Sequence, residues 1–226
     1  ERLALPGEME RVVWVASDAT PEVHGAIEFS TGYVAREPVA TYFKLLLELW
    51  MREEMSDPTD PISLAELLSF VAFAAARGPA WEGRWVFYTG DNEVATDRLR
   101  TLHARHPLAR MLIRTLRYLA AKNHFQVTAF WWRTYHNTTA DNLTRWSETE
   151  FQAERLKHGW TQLDLRPAFE AALQQGQEAT AGVFLGLCPE DQRLALQLRE
   201  RRILREVPRG IKPLAVLVEL ECKLGD

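Results

Sequence analysis

Arg11-Val12-Val13-Trp14-Val15-Ala16-Ser17-Asp18 is the stretch on which the fold turns. Its apolar, β-branched run is short and reads as a buried strand that ends on a carboxylate. Gly25-Ala-Ile-Glu-Phe-Ser30 follows a turn containing Pro21 and reads as its antiparallel partner, with Gly32 closing the next turn. A third strand is expected between Tyr33 and Tyr42. From Phe43 to Met51 the pattern fits either strand or helix, and Pro58 and Pro61 break whatever precedes them.

Further along, Ser63-Leu-Ala-Glu66 has the spacing of a capping box and opens an apolar helix from Leu64 to Arg77, which Gly78-Pro79 ends. Arg84-Trp-Val-Phe-Tyr-Thr89 reads as a strand that delivers Gly90-Asp91-Asn92. A helix follows, with Leu108, Met111, Leu112, Thr115, Leu116 and Leu119 as its core stripe and Arg110, Arg114 and Arg117 on another face. Phe125-Gln-Val-Thr-Ala-Phe-Trp-Trp132 is a fifth strand, and Asn137 to Asp141 leads into another helix. This order predicts an α/β fold: a mixed five-stranded sheet flanked by helices over residues 1–146. Residues 147–226 are expected to be a mostly helical C-terminal extension or a linker to a downstream domain. They contain a highly charged helix from Pro189 to Glu206 and an apolar strand-like run from Leu214 to Glu221.

A chain of 226 residues, 46% hydrophobic, can bury a full core. No apolar run reaches the roughly 20 residues of a bilayer span, and the N-terminus lacks a signal-peptide profile. The expectation is therefore an intracellular protein, nuclear or cytoplasmic, without a membrane partner. Cys188 and Cys222 lie far apart with no metal-ligand spacing around them, which excludes a disulfide framework and a zinc site. A net charge of −4 excludes nucleic-acid binding by bulk electrostatics and leaves a local basic face as the alternative.

Four carboxylates stand at the ends of predicted elements: Asp18, Glu66, Asp91 and Asp141. Hard divalent cations take oxygen ligands, and phosphodiester hydrolysis by two metals needs several such ligands converging on one point. Taken singly, each acid has an ordinary local role: a turn for Asp18, a capping box for Glu66, a loop for Asp91, a helix N-terminus for Asp141.

The words around the acids carry more. Ser17-Asp18-Ala19-Thr20 with Gly25-Ala26 resembles the opening hairpin of ribonuclease H domains in retrotransposon reverse transcriptases. Ile62-Ser-Leu-Ala-Glu66-Leu-Leu68 resembles their helix-borne glutamate, and Tyr88-Thr-Gly-Asp91-Asn92 their T-D-N strand end. Asn137-Thr-Thr-Ala-Asp141-Asn-Leu143-Thr144-Arg145 is similar to their N-x-x-A-D-x-L-S-R signature, the most specific of the four. The nearest flavour is that of tyrosine-recombinase (DIRS-like) and related retroelements.

This resemblance implies a ribonuclease H-like fold and hydrolysis of the RNA strand of an RNA–DNA hybrid with two Mg2+ ions, Mn2+ being able to substitute. It makes Asp18, Glu66, Asp91 and Asp141 both catalytic residues and metal ligands. Asp18 bridges the ions, Asp141 helps hold the one that activates water, and Glu66 and Asp91 hold the one that stabilises the leaving oxygen. It also implies a polymerase domain in the same polyprotein, since this chain has no Y-x-D-D motif.

Cellular ribonucleases H carry a mobile histidine before the last aspartate. The candidate here, His136, reads instead as an exposed turn residue in a shortened loop. The segment from Tyr42 to Asp60 expands the spacing between the first two acids. For grip on the hybrid phosphates, Arg98, Arg100 and Arg105 follow Asp91 most closely in sequence. Trp85, Trp131 and Trp132 are assigned to packing. Two rivals share the fold: a catalytically inactive connection domain, and a nuclease or integrase acting on DNA. A third, a nucleotide-binding domain opening at Leu214, lacks a glycine-rich phosphate loop.

Overall fold

The computed structural model describes residues 11–50 and 61–185. The expected helix from Pro189, the run from Leu214 and both cysteines lie outside the described residues, as does most of the expansion before Asp60.

Runs of buried residues build the central strands of the sheet. Strands β1 (Val12–Ala19), β2 (Val23–Glu28) and β3 (Tyr33–Pro38) form an antiparallel meander. On the other side of β1, β4 (Trp85–Gly90) pairs parallel to it and β5 (Gln126–Trp131) pairs parallel to β4. The two-residue β6 (Thr161–Gln162) joins β3, so the sheet has six strands in the order β5-β4-β1-β2-β3-β6, not the five expected. Exposed and polar, Thr161 and Gln162 carry no hydrophobic period that would mark a strand. The third strand is also shorter than Tyr33 to Tyr42. Its pairing runs out where Val23 faces Pro38, and with no partner beyond that point the chain turns at once into helix α1 (Val39–Trp50).

Helix α2 (Pro61–Arg77) is the central element. Its residues from Ser63 to Ala75 are all buried, as expected of a helix that is apolar all round. By length and mean hydropathy, Pro61–Trp81 matches a membrane span, contrary to the expectation that no stretch would. Yet 78% of that window is buried inside the fold, which is how a core helix passes the same test. One side of the sheet packs on α2 and on α4 (Pro107–Asn123), with α7 (Arg166–Leu185) laid across both. Val13 and Val15 point into that core. Ala16 points the other way, into a smaller cluster with Ile27, Val34, Ala140, Leu143 and Phe151 beneath α5 (Thr138–Arg145) and α6 (Glu148–His158).

The tryptophans expected in packing are exposed. Trp14, Phe87, Phe130 and Trp132 meet edge-to-face or tilted at 5.6–6.1 Å on the α5 side of the sheet, and Trp85 is 53% and Trp131 46% accessible. Helix α5 covers only the β1–β2 half of that side. Arg114 and Arg117 are not on a solvated face either: they reach Gln177 and the Leu102 carbonyl, and Arg110 is buried.

Two buried contacts fix the layers. Glu28, at the end of β2, accepts from the Arg77 guanidinium and the Trp81 indole, both at 2.9 Å, tying the sheet to the end of α2. Arg36 of β3 donates to the carbonyls of Leu143 and Trp146 at 2.8 and 2.7 Å, satisfying acceptors that the end of α5 leaves open. Helix α5 can lie this close because Gly25 faces it: a Cβ there would stand 3.0 Å from the Leu143 Cβ. Replacing Gly25 by Val should therefore lift α5 from the sheet and destabilise the fold by about 1–3 kcal/mol. Urea unfolding measures this, and an unchanged midpoint contradicts it.

Candidate metal centre

The parallel ladder sets Ala16 opposite Thr89. Two residues further along each strand come Asp18 and Asp91, so both carboxylates emerge at the same level of the sheet. Gly90 precedes Asp91 where only glycine fits, since a Cβ would collide with the Tyr88 hydroxyl at 2.3 Å. Asn92 then caps helix α3 (Glu93–Thr101) by accepting from the Ala95 amide at 2.9 Å.

Glu66 enters from below. The capping-box reading of Ser63 and Glu66 is overturned, because the helix already begins at Pro61 and Glu66 lies inside it. Ser63 is a buried side chain within hydrogen-bond distance of Arg98, at 3.3 Å. The Glu66 carboxyl instead points at the strand ends, where one oxygen each from Asp18, Glu66 and Asp91 lie within 4.8 Å of one another.

Desolvation dominates this cluster. Burial first, and the charges of Asp18 and Asp91 next, push Glu66 from its ordinary 4.5 up to about 10. Asp18 is raised too, again first by burial; the Thr144 hydroxyl opposes the shift, and Asp91 and Asp141 add to it. Glu66 Oε2 is buried without a hydrogen-bond partner. A buried acceptor left without a partner is expensive, and a cation is the partner that an all-carboxylate donor set suits. The residues present thus fit a hard divalent ion.

Hydroxyl groups orient the acids. Thr144, on α5, donates to Asp18 across the space that Gly25 leaves. Thr134 donates to Asp91 Oδ2 at 2.7 Å, and the Trp131 indole to the Asp91 carbonyl at 2.8 Å. Asn137 donates to the Ser17 carbonyl at 3.1 Å, pinning the start of α5 to β1. Of these, Asn137 and Thr144 left a trace in the sequence, both standing in the motif around Asp141. Thr134 sits in a short 3-10 turn with nothing to single it out.

Asp141 does not join the three. Its Oδ1 lies 2.6 Å from Arg145 Nε, one helical turn on. Arg98 is half-buried, Arg100 is exposed and paired with Asp97 at 2.6 Å, and Arg105 is exposed in the loop after α3. His136 is exposed, its ring 4.2 Å from that of Tyr135.

A carboxyl raised in the fold is neutral there while its unfolded counterpart ionises above 4.5. Stability from the neutral form is therefore complete below that value and drains away as pH climbs toward 10. In the presence of a chelator, Glu66→Gln should unfold at a higher urea concentration than the unmodified chain at about pH 8, with the gap closing at about pH 4. A gap of equal size at both pH values contradicts the assignment. No family model matches this chain, and none of the curated proteins or solved structures compared with it is a match.

Proposed function

We propose that this chain is a divalent-metal-dependent nuclease of the ribonuclease H type, hydrolysing the RNA strand of an RNA–DNA hybrid within a reverse-transcriptase polyprotein. One observation carries the reading: three carboxylates from separate elements converge within 4.8 Å, two of them buried, and an oxygen among them has no partner. The choice of hybrid over other phosphodiesters rests on the four quoted motifs and their order along the chain.

Asp18, Glu66 and Asp91 would hold the first ion, and Asp141 would complete the set for a second. A pair of Mg2+ ions, or Mn2+ in their place, would supply Lewis-acid stabilisation of charge on the scissile phosphate and a more acidic water. The chain's own part is positional. Thr144 and Thr134 donate hydrogen bonds to Asp18 and Asp91, the role that outer partners of metal ligands generally play. Burial of Asp18 and Glu66 keeps bulk water from competing for their oxygens. Glu66, held neutral by burial and its acidic neighbours, would have to give up its proton to ligate an ion, which would couple ionisation to metal uptake. Arg100 and Arg105, exposed beyond Asp91, offer charge to the hybrid backbone, with Arg98 set deeper beside them. The products would be a 5′ phosphate and a 3′ hydroxyl.

Cleavage of a labelled RNA–DNA hybrid in Mg2+ tests this, with duplex DNA and single-stranded RNA as controls. The expected result is hybrid-selective cleavage, abolished by chelator and reduced at least about a hundredfold by Asp18→Asn or Asp91→Asn with the far-ultraviolet circular dichroism unchanged. Cleavage retained in both variants removes the metal-site assignment. No cleavage by a folded chain that still binds hybrid supports the inactive connection domain.

A further inference from the structure

Asp141 is one helical turn from Arg145 on α5, and their side chains meet at 2.6 Å with Asp141 mostly enclosed (18% accessible) and Arg145 mostly in solvent (65%). Helix α5 itself has little freedom to shift. Ala140 and Leu143 are fully buried against the sheet, Arg36 holds the carbonyls at its C-terminal end, and Asn137 anchors its start to β1. Thr144, between the two charged residues and Asp18, donates to the Asp18 carboxylate. The Asp141 side chain is not among the groups these contacts fix; its one hydrogen bond here is the exposed one to Arg145. Its charge already reaches Asp18 in the paired position.

We propose that Arg145 is an internal competitor for the metal centre, holding Asp141 out of the carboxylate cluster in the free chain so that the fourth ligand engages only when a divalent cation displaces the guanidinium. This rests on the reading of Asp18, Glu66 and Asp91 as a metal site and adds a control to it. A guanidinium suits the task because it cannot lose its charge and binds a carboxylate in a defined orientation. Exposure makes the competition weak, of the size of a surface ion pair, so it sets a threshold for the cation without blocking it. Arg145 is a positioning residue here, acting through Asp141.

The test is calorimetric titration of Mg2+ alone, without nucleic acid, into the full chain, Arg145→Gln, Asp141→Asn and the double variant. Arg145→Gln should bind Mg2+ about two- to fivefold more tightly, a gain that misfolding would not produce. In the Asp141→Asn background the same change should bring no gain. Unchanged or weaker binding by Arg145→Gln overturns the proposal, and so does an equal gain in both backgrounds, which would mean simple repulsion between Arg145 and the ion. If the unmodified chain binds no Mg2+ at all, the metal-site reading fails first and the proposal falls with it.

Discussion

The parallel register of β1 on β4 is the constraint from which the rest of this molecule follows. It brings two strand ends level, with Asp18 and Asp91 each two residues beyond the paired Ala16 and Thr89. A one-residue slip would turn Asp18 to the opposite face of the sheet and break the convergence. Helix α2 brings Glu66 up to the same point from below, and α5 closes over it from above through Thr144. Gly25, paired with Asp18 across β1 and β2, leaves the room that α5 needs. Sheet register, one glycine and two helices thus place a single cluster of carboxylates.

Such crowding works against the metal-free fold. Burial and mutual repulsion keep Glu66 protonated through neutral pH, and its Oε2 is left without a partner. The same features favour a cation, since a dication relieves both the repulsion and the unsatisfied acceptor. A conventional core would place an apolar residue at position 66, as its neighbours Ala65, Leu67 and Leu68 show. That departure from local consistency singles out Glu66, a buried carboxyl in an apolar helix, as a candidate metal ligand.

The sheet was largely legible because its strands announce themselves. β1, β4 and β5 carry β-branched or aromatic runs, and Asp18 and Asp91 stand at the ends of two of them. Other parts were hidden for definite reasons. Ser63 and Glu66 have capping-box spacing, so local chemistry offered a sufficient explanation for a glutamate whose role is tertiary. β6 is two polar residues that pair only because the chain passes β3 on its way to α7. The tryptophans were assigned to the core on residue type, yet which half of a sheet face a short helix covers is not written in either strand. Arg110 lies off the core stripe by helical spacing and is nonetheless buried. Asp141 stands in the first turn of α5 with Arg145 at i,i+4 spacing, but which neighbour its carboxylate engages depends on a rotamer.

Proton release on cation uptake joins the geometry of the three acids to their electrostatics in one measurement. Titrating Mg2+ into the full chain near neutral pH, in two buffers of different ionisation enthalpy, separates binding heat from proton heat. The expected result is binding accompanied by release of about one proton per cation, lost in Glu66→Gln. Binding without proton release, or no binding, would contradict the view that Asp18, Glu66 and Asp91 form a site whose ionisation waits for a metal.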